Sequence, residues 1–190
     1  MEWMIIVTWL ARLILIILVG MSVFAVSIIL ERKEFFKKNS LKDQHSNLLT
    51  KIENNKISEI KADLLDERPF DAQVLMAFEN KSLGHTRSVA ALKFKAMEEG
   101  KAAILGTFGA TAPFIGLLGT VFGIIVAFGE LSSGKVDSNS IMYALAEALI
   151  LTAVGLVVAI PSVMSFNHYS KRLKQERERV QLLQNLIKNQ

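Results

Sequence analysis

Residues 106–128 read GTFGATAPFIGLLGTVFGIIVAF, an apolar stretch that contains five glycines, three threonines and one proline. About 20 helical residues cross the hydrocarbon core of a bilayer, so the length of this stretch predicts a membrane span. Glycine costs a helix about 1 kcal/mol relative to alanine, and proline costs more. So many poor helix formers indicate that small residues serve another purpose in this span.

The small residues of this stretch fall on one face of a helix. They recur in alternating steps of three and four: Gly106, Gly109, Pro113, Gly116, Thr120, Gly123 and Ala127. Lipid tails provide no hydrophobic drive for helix association, so membrane helices meet through close van der Waals contact of small residues. The stripe therefore predicts a packing surface for another helix rather than a lipid face.

A second stripe of small residues lies in the apolar stretch 143–166. Its members are Ala144, Ala148, Thr152, Gly155, Ala159 and Ser162. Two such stripes indicate a tight assembly. One stripe can pack inside the subunit, which leaves the other for a neighbouring subunit or for a pore.

A further apolar stretch, 9–30, completes three predicted spans in a chain of 190 residues. We interpret it as an uncleaved anchor, because its start is not basic and no small-x-small cleavage site follows it. Lysine and arginine number 14 in residues 31–103 and six in residues 167–190, but only one in residues 129–142. Since basic loops stay in the cytoplasm, the N-terminus is expected outside and the C-terminus inside.

The expected fold class is all-α, with three transmembrane helices extended into a cytoplasmic helical bundle. The predicted parts are a periplasmic N-terminus, span 1, a cytoplasmic helical loop, span 2, a periplasmic connector, span 3 and a cytoplasmic tail: 1–8, 9–30, 31–103, 104–128, 129–142, 143–166 and 167–190. Within the loop, residues 58–65, 70–78 and 88–99 have the pattern of amphipathic helices. In the tail, the spacing of Leu173, Val180, Leu183 and Ile187 is typical of a helix packed on another helix.

Two threonines lie at similar depths in the second and third spans. Thr120 is eight residues from the outer end of its helix and Thr152 is nine, which places both about 12–14 Å deep at 1.5 Å per residue. They are candidates for an ion pathway on two small-residue faces. The alternative is that each hydroxyl bonds the carbonyl four residues earlier, of Gly116 and of Ala148.

Glu147 is the only acidic residue inside a predicted span. Ionisable groups in a membrane are costly, face protein or water, and are candidates for function. The alternative is a carboxylate near enough to the interface to stay hydrated. Glu147 and Thr152 are about 140° apart around a helix, so a path that uses both must turn around the helix or lie between subunits.

Several classes of function are disfavoured by composition. Cysteine is absent and the three histidines are far apart in the sequence, so no metal site and no cofactor is expected. No nucleophile–base arrangement and no phosphate-binding loop is recognisable, which argues against an enzyme. The net charge of +4 is explained by membrane topology, and no nucleic acid partner is expected.

Two motifs resemble a known family. GATAPFIGLLGTVFGI at 109–124 and AEALILTAVGLVVAIPSVMSFN at 146–167 are similar to the proton-channel core shared by ExbB, TolQ and MotA. These are ring-forming subunits of ion-driven motors in bacterial inner membranes. LVGMSVFAVSIILERKEFF at 18–36 resembles the first span of ExbB and TolQ, and three spans fit those two better than MotA.

The resemblance implies roles for particular residues and partners. Thr120 and Thr152 are similar to the pore-facing threonines of the family, and Glu147 to its membrane glutamate. Five subunits would enclose an ExbD- or TolR-like single-span protein, whose membrane aspartate carries the ion. The ring would then energise a TonB- or TolA-like protein that acts on the outer membrane.

The resulting hypothesis is an inner-membrane motor subunit, driven by the proton motive force, whose small-residue faces line a pore. The hydroxyls and the carboxylate suit either H⁺ or Na⁺. The alternative is a structural scaffold in the lipid bilayer that assembles partner helices without conducting ions. Such a scaffold explains the glycines but leaves Glu147 and the depth-matched threonines unexplained.

Overall fold

A computed structural model of the chain describes residues 2–40, 45–54, 59, 70, 74, 100–132 and 138–188. Its helices are α1 (Glu2–Asn39), α2 (His45–Glu53), α3 (Lys101–Ser132) and α4 (Ser138–Lys188). Helices α1, α3 and α4 are each long and apolar enough to cross a membrane. The prediction of an all-α protein with three candidate spans is therefore confirmed.

The chain divides into two compact units. The first comprises Met1–Ile29 with Ile104–Phe166, and the second comprises Leu30–Ala103 with Asn167–Gln190. The helices predicted at 58–65, 70–78 and 88–99 lie outside the described residues, apart from Glu59, Phe70 and Val74.

The first unit has small and medium-sized side chains inside and large ones outside. Its core consists of residues from α1, α3 and α4: Ile14, Leu18, Ala112, Leu151, Val158 and Ala159. By contrast, Ile16 is 71% exposed and Phe114 is 72% exposed. This is the arrangement expected of helices whose outer surface contacts lipid and whose contacts with one another depend on small residues.

In the second unit, polar and aromatic contacts join the end of α1 to the last part of α4. The rings of Phe36 and Tyr169 stack with centroids 5.7 Å apart. Ser40 Oγ donates to Glu176 Oε1 over 2.7 Å, and Arg179 Nη1 donates to the same oxygen over 2.6 Å. These two donors satisfy a carboxylate that is only 4% exposed.

The apolar spacing noted in the tail corresponds to buried positions on α4. Val180 and Leu183 are buried and Leu173 is half-buried, while the side chain of Ile187 lies outside the described set. The buried side of this part of α4 therefore contains the apolar positions that the spacing predicted, together with the hydrogen-bonded Glu176.

Candidate functional site

Helices α3 and α4 approach each other closely at two glycines. A methyl group added to Gly116 would lie 2.8 Å from the carbonyl oxygen of Leu151 and 3.1 Å from Cα of Thr152. One added to Gly155 would lie 2.7 Å from the carbonyl oxygen of Ala112. Because these neighbours are backbone atoms that cannot rotate away, only a glycine hydrogen fits at either position.

The same close packing continues along the pair in both directions. A methyl group on Gly123 would meet Ala148, one on Gly109 would meet Val163, and one on Gly106 would lie 3.2 Å from the ring of Phe166. Positions later in α3 thus face positions earlier in α4, so the two helices are antiparallel.

The two small-residue stripes are therefore each other's partner within one subunit. This differs from the expectation that one stripe would be left for a neighbour or for a pore. Gly109, Gly116, Ala127, Ala148, Gly155 and Ala159 are buried, whereas Gly106, Pro113, Gly123 and Thr152 stay partly exposed. Thr120 is also buried, at 8% exposure, so of the two candidate threonines only Thr152 is partly at the surface of this subunit, where a pore lining would require it.

The pair brings the two candidate threonines to nearly the same level. A methyl group on Gly119 would lie 2.9 Å from Cδ1 of Leu151, so Gly119 and Leu151 are opposite each other. Thr120 and Thr152 each follow by one residue in an antiparallel pair, which separates them by about 3 Å along the axis. Their membrane depth and their role in an ion pathway stay predictions.

The hydroxyl groups of these threonines have specific acceptors. Thr152 Oγ1 donates to the carbonyl of Gly116 on α3 over 3.2 Å, which makes a hydrogen bond between the two helices. Thr120 Oγ1 donates to the carbonyl of Leu117 over 2.7 Å. Neither hydroxyl bonds the carbonyl four residues earlier. Thr120 nevertheless bonds within its own helix, to the carbonyl three residues earlier, so only Thr152 differs from that alternative in the kind of bond it makes. Each oxygen retains lone pairs that can accept a hydrogen bond from water.

Glu147 has an exposed side chain that lines a partly open cavity of about 40 Å³. Since a water needs about 10–15 Å³ of such volume, about two to four waters fit. The cavity is formed by α1, α3 and α4: Thr8, Ala11, Gly123, Val126, Ala144, Glu147, Ala148 and Leu151. A carboxylate, a hydroxyl and water can therefore share one pocket near the starts of α1 and α4.

Thr8 is the site residue that sequence reasoning missed. The sequence predicts that residues 1–8 lie outside the first span, but Thr8 lies within α1 and lines the Glu147 cavity. One signal could have identified it. Thr8 carries a hydroxyl group next to the outer end of the first span, and the predicted topology places that end at the same level as Glu147. Within the residues that the structure describes, no cluster of histidine and acidic side chains could hold a metal ion.

Comparison with known proteins identifies the family to which this chain belongs. Residues 58–182, about two thirds of the chain, match the profile of the MotA/TolQ/ExbB proton channel family. The chain belongs to this family. Membership in a channel family agrees with the expectation that the protein is not an enzyme.

Individual relatives of the family are similar over shorter segments. The chain is 51% identical over 69 residues to the biopolymer transport protein ExbB of Xanthomonas campestris pv. campestris, covering 36% of this chain and 27% of that one. It is 48% identical over 65 residues to the putative biopolymer transport protein ExbB-like 2 of Helicobacter pylori, covering 34% and 43%. It is 45% identical over 76 residues to the Tol-Pal system protein TolQ of Haemophilus influenzae, covering 40% of this chain and 33% of that one. The matched segment spans less than half the length of each of these relatives.

Proposed function

We propose that this chain is the ring subunit of an ion-driven motor in the bacterial inner membrane, most simply as a homopentamer. The observation that carries the proposal is the tightly packed α3–α4 pair, which brings Thr120 and Thr152 to nearly the same level along the helices. Gly123, Ala148 and Leu151 of the same pair line the Glu147 cavity. Family membership supports the same function. In this arrangement the N-terminus is periplasmic and the C-terminus is cytoplasmic, as the distribution of basic residues indicates.

In the proposed mechanism, rigid helix pairs surround the span of a smaller ExbD- or TolR-like partner. The ion moves on the partner's membrane aspartate, while the partly exposed Thr152 and the less exposed Thr120 accept hydrogen bonds from water beside it. Glu147 and Thr8 hold water at the outer entrance. One charge that crosses 100 mV releases about 2.3 kcal/mol, which drives movement of the ring relative to the partner. That movement energises a TonB- or TolA-like protein.

Ion flux through the reconstituted complex tests the proposal. The chain and its single-span partner would be purified together, incorporated into vesicles, and given a proton or sodium gradient with a membrane potential. Flux that requires both proteins supports a motor subunit. An assembled complex that passes neither ion would instead favour the structural scaffold, a function that the close glycine packing can also serve.

Thr152→Val is expected to lower flux about fivefold, because it removes a hydroxyl and keeps the side-chain shape. A net hydrogen bond of about 1 kcal/mol corresponds to that factor in rate. The lost bond to Gly116 costs the helix pair only about 0.6 kcal/mol, so the variant should still assemble. Full flux from assembled Thr152→Val would mean that this hydroxyl has no part in conduction, and Thr120→Val gives the parallel test.

Thr8→Val is expected to lower flux by about the same factor, through loss of one hydrogen-bonding group from the Glu147 cavity. Thr8→Ser should restore flux, because it returns the hydroxyl in a smaller side chain. Thr111→Val is the matched control, since Thr111 is exposed and its hydroxyl donates to the carbonyl of Thr107 in its own helix. Equal flux in Thr8→Val and the control would remove Thr8 from the pathway.

A further inference from the structure

Arg32 is a buried cation at the end of the first apolar stretch. Its side chain is 9% exposed, and its Nε atom has no hydrogen-bond acceptor. Its guanidinium lies 5.8 Å from the centre of the Phe35 ring, so one face of the cation contacts an aromatic group. A buried charge is costly unless hydrogen bonds and an opposite charge compensate it.

The nearby carboxylates of the second unit, where they are described, are engaged by other groups. Glu31 pairs with Lys101 at 2.5 Å. Glu34 pairs with Lys38 at 2.7 Å. Glu176 accepts hydrogen bonds from Ser40 and Arg179. None of these contacts supplies Arg32 with a counter-charge.

A second arginine adds to the positive charge around this position. Arg32 and Arg172 both act electrostatically on the hydroxyl group of Tyr169, whose ring stacks on Phe36. Arg32 is buried and Arg172 is exposed, so the two arginines add positive charge at the inside and at the surface of this region. Such a place attracts an anion, and its aromatic walls reduce the screening of that attraction by water.

We propose that Arg32, assisted by Arg172, binds the phosphate group of a phospholipid. A guanidinium presents two parallel N–H donors that match the oxygens of a phosphate. Arg32 comes two residues after the apolar stretch that ends at 30, and Arg172 comes six residues after the one that ends at 166. Both positions correspond to the headgroup level, where basic pockets between membrane helices bind lipid headgroups. The proposal requires only that these stretches cross the membrane, not that the protein conducts ions.

Lipid retention by the purified full-length protein tests this site. After exchange into nanodiscs that contain phosphatidylglycerol, bound lipid would be measured by native mass spectrometry. Arg32→Gln is expected to weaken binding about tenfold, as loss of a charge-assisted hydrogen bond predicts. Arg32→Lys should retain part of the binding, because it keeps the charge and loses the two-pronged geometry.

Lys33→Gln is the matched control, since it removes the same charge from the next, exposed position of α1. It is expected to leave lipid retention unchanged. Equal retention by Arg32→Gln and the original protein would overturn the proposal, and so would an equal loss in Lys33→Gln. Unchanged lipid retention with loss of a protein partner would assign Arg32 to a partner's carboxylate instead.

Two further measurements complete the test. The first distinguishes a lipid phosphate from free phosphate, and the second needs no variant, so it still applies if Arg32→Gln does not fold. Displacement of phosphatidylglycerol by inorganic phosphate would support recognition of the phosphate group, whereas binding of inorganic phosphate without any retained lipid would overturn the assignment to lipid. In the unmodified protein, phosphatidylglycerol with a photoreactive headgroup should label residues 30–36 or 169–172. Labelling confined to other segments would contradict the site.

Discussion

Gly116→Ala is expected to destabilise the α3–α4 pair by about 3 kcal/mol, a large cost for overpacking. The new methyl group would lie 2.8 Å from the carbonyl oxygen of Leu151 and 3.3 Å from Cα of Gly155. Both contacts are with backbone, so the helices must separate to relieve them. The measurement is equilibrium unfolding in mixed micelles, followed by far-ultraviolet circular dichroism.

Gly20→Ala is the matched control for this change. Gly20 also lies within a long apolar helix, but a methyl group added there would have nothing within 4 Å. Both substitutions gain the same intrinsic helix propensity, about 1 kcal/mol, so their difference isolates the steric clash. If Gly116→Ala were as stable as Gly20→Ala, the close packing of α3 on α4 would be wrong.

Gly155→Ala extends the test to the opposite helix. Its methyl group would lie 2.7 Å from the carbonyl oxygen of Ala112 and 3.1 Å from Cα of Gly116. Because either substitution alone forces the same helices apart, the double variant should lose less stability than the two single losses added together. Simple additivity would indicate that the two glycines pack independently.

Glu147→Gln is expected to lower ion flux about a hundredfold in the reconstituted complex. The amide keeps the size of the side chain but cannot take up and release a proton, and a positioned group of that kind contributes at least this factor in catalysed proton transfer. Because Glu147 is exposed in the subunit, its replacement should leave helix packing intact. Flux under a fixed gradient, normalised to assembled protein, is the measurement.

Glu178→Gln is the control for net charge, because Glu178 is an exposed carboxylate on the charged part of α4. It should conduct normally. Normal flux in Glu147→Gln as well would favour a hydrated interfacial carboxylate, the alternative raised by its position near the end of the span. Normal flux in the original protein with a defect confined to Glu147→Gln would support its role at the entrance.

The sequence was informative wherever a property depends on the local order of residues. Apolar length alone indicated three spans, because the thickness of a bilayer sets the number of helical residues needed. Steps of three and four identified the small-residue faces of α3 and α4, because helix geometry brings such positions together. The motifs around Gly116 and Glu147 also indicated the family.

Tertiary structure decided which surfaces and groups meet. Spacing along one helix shows that a face is suited to packing but does not name its partner, and only the fold pairs the two small-residue stripes with each other. The acceptor of the Thr152 hydroxyl, the presence of Thr8 beside Glu147 and the burial of Arg32 are likewise contacts between helices far apart in the chain. Such contacts depend on how helices rotate and approach in three dimensions, which a periodic pattern in one dimension leaves undetermined.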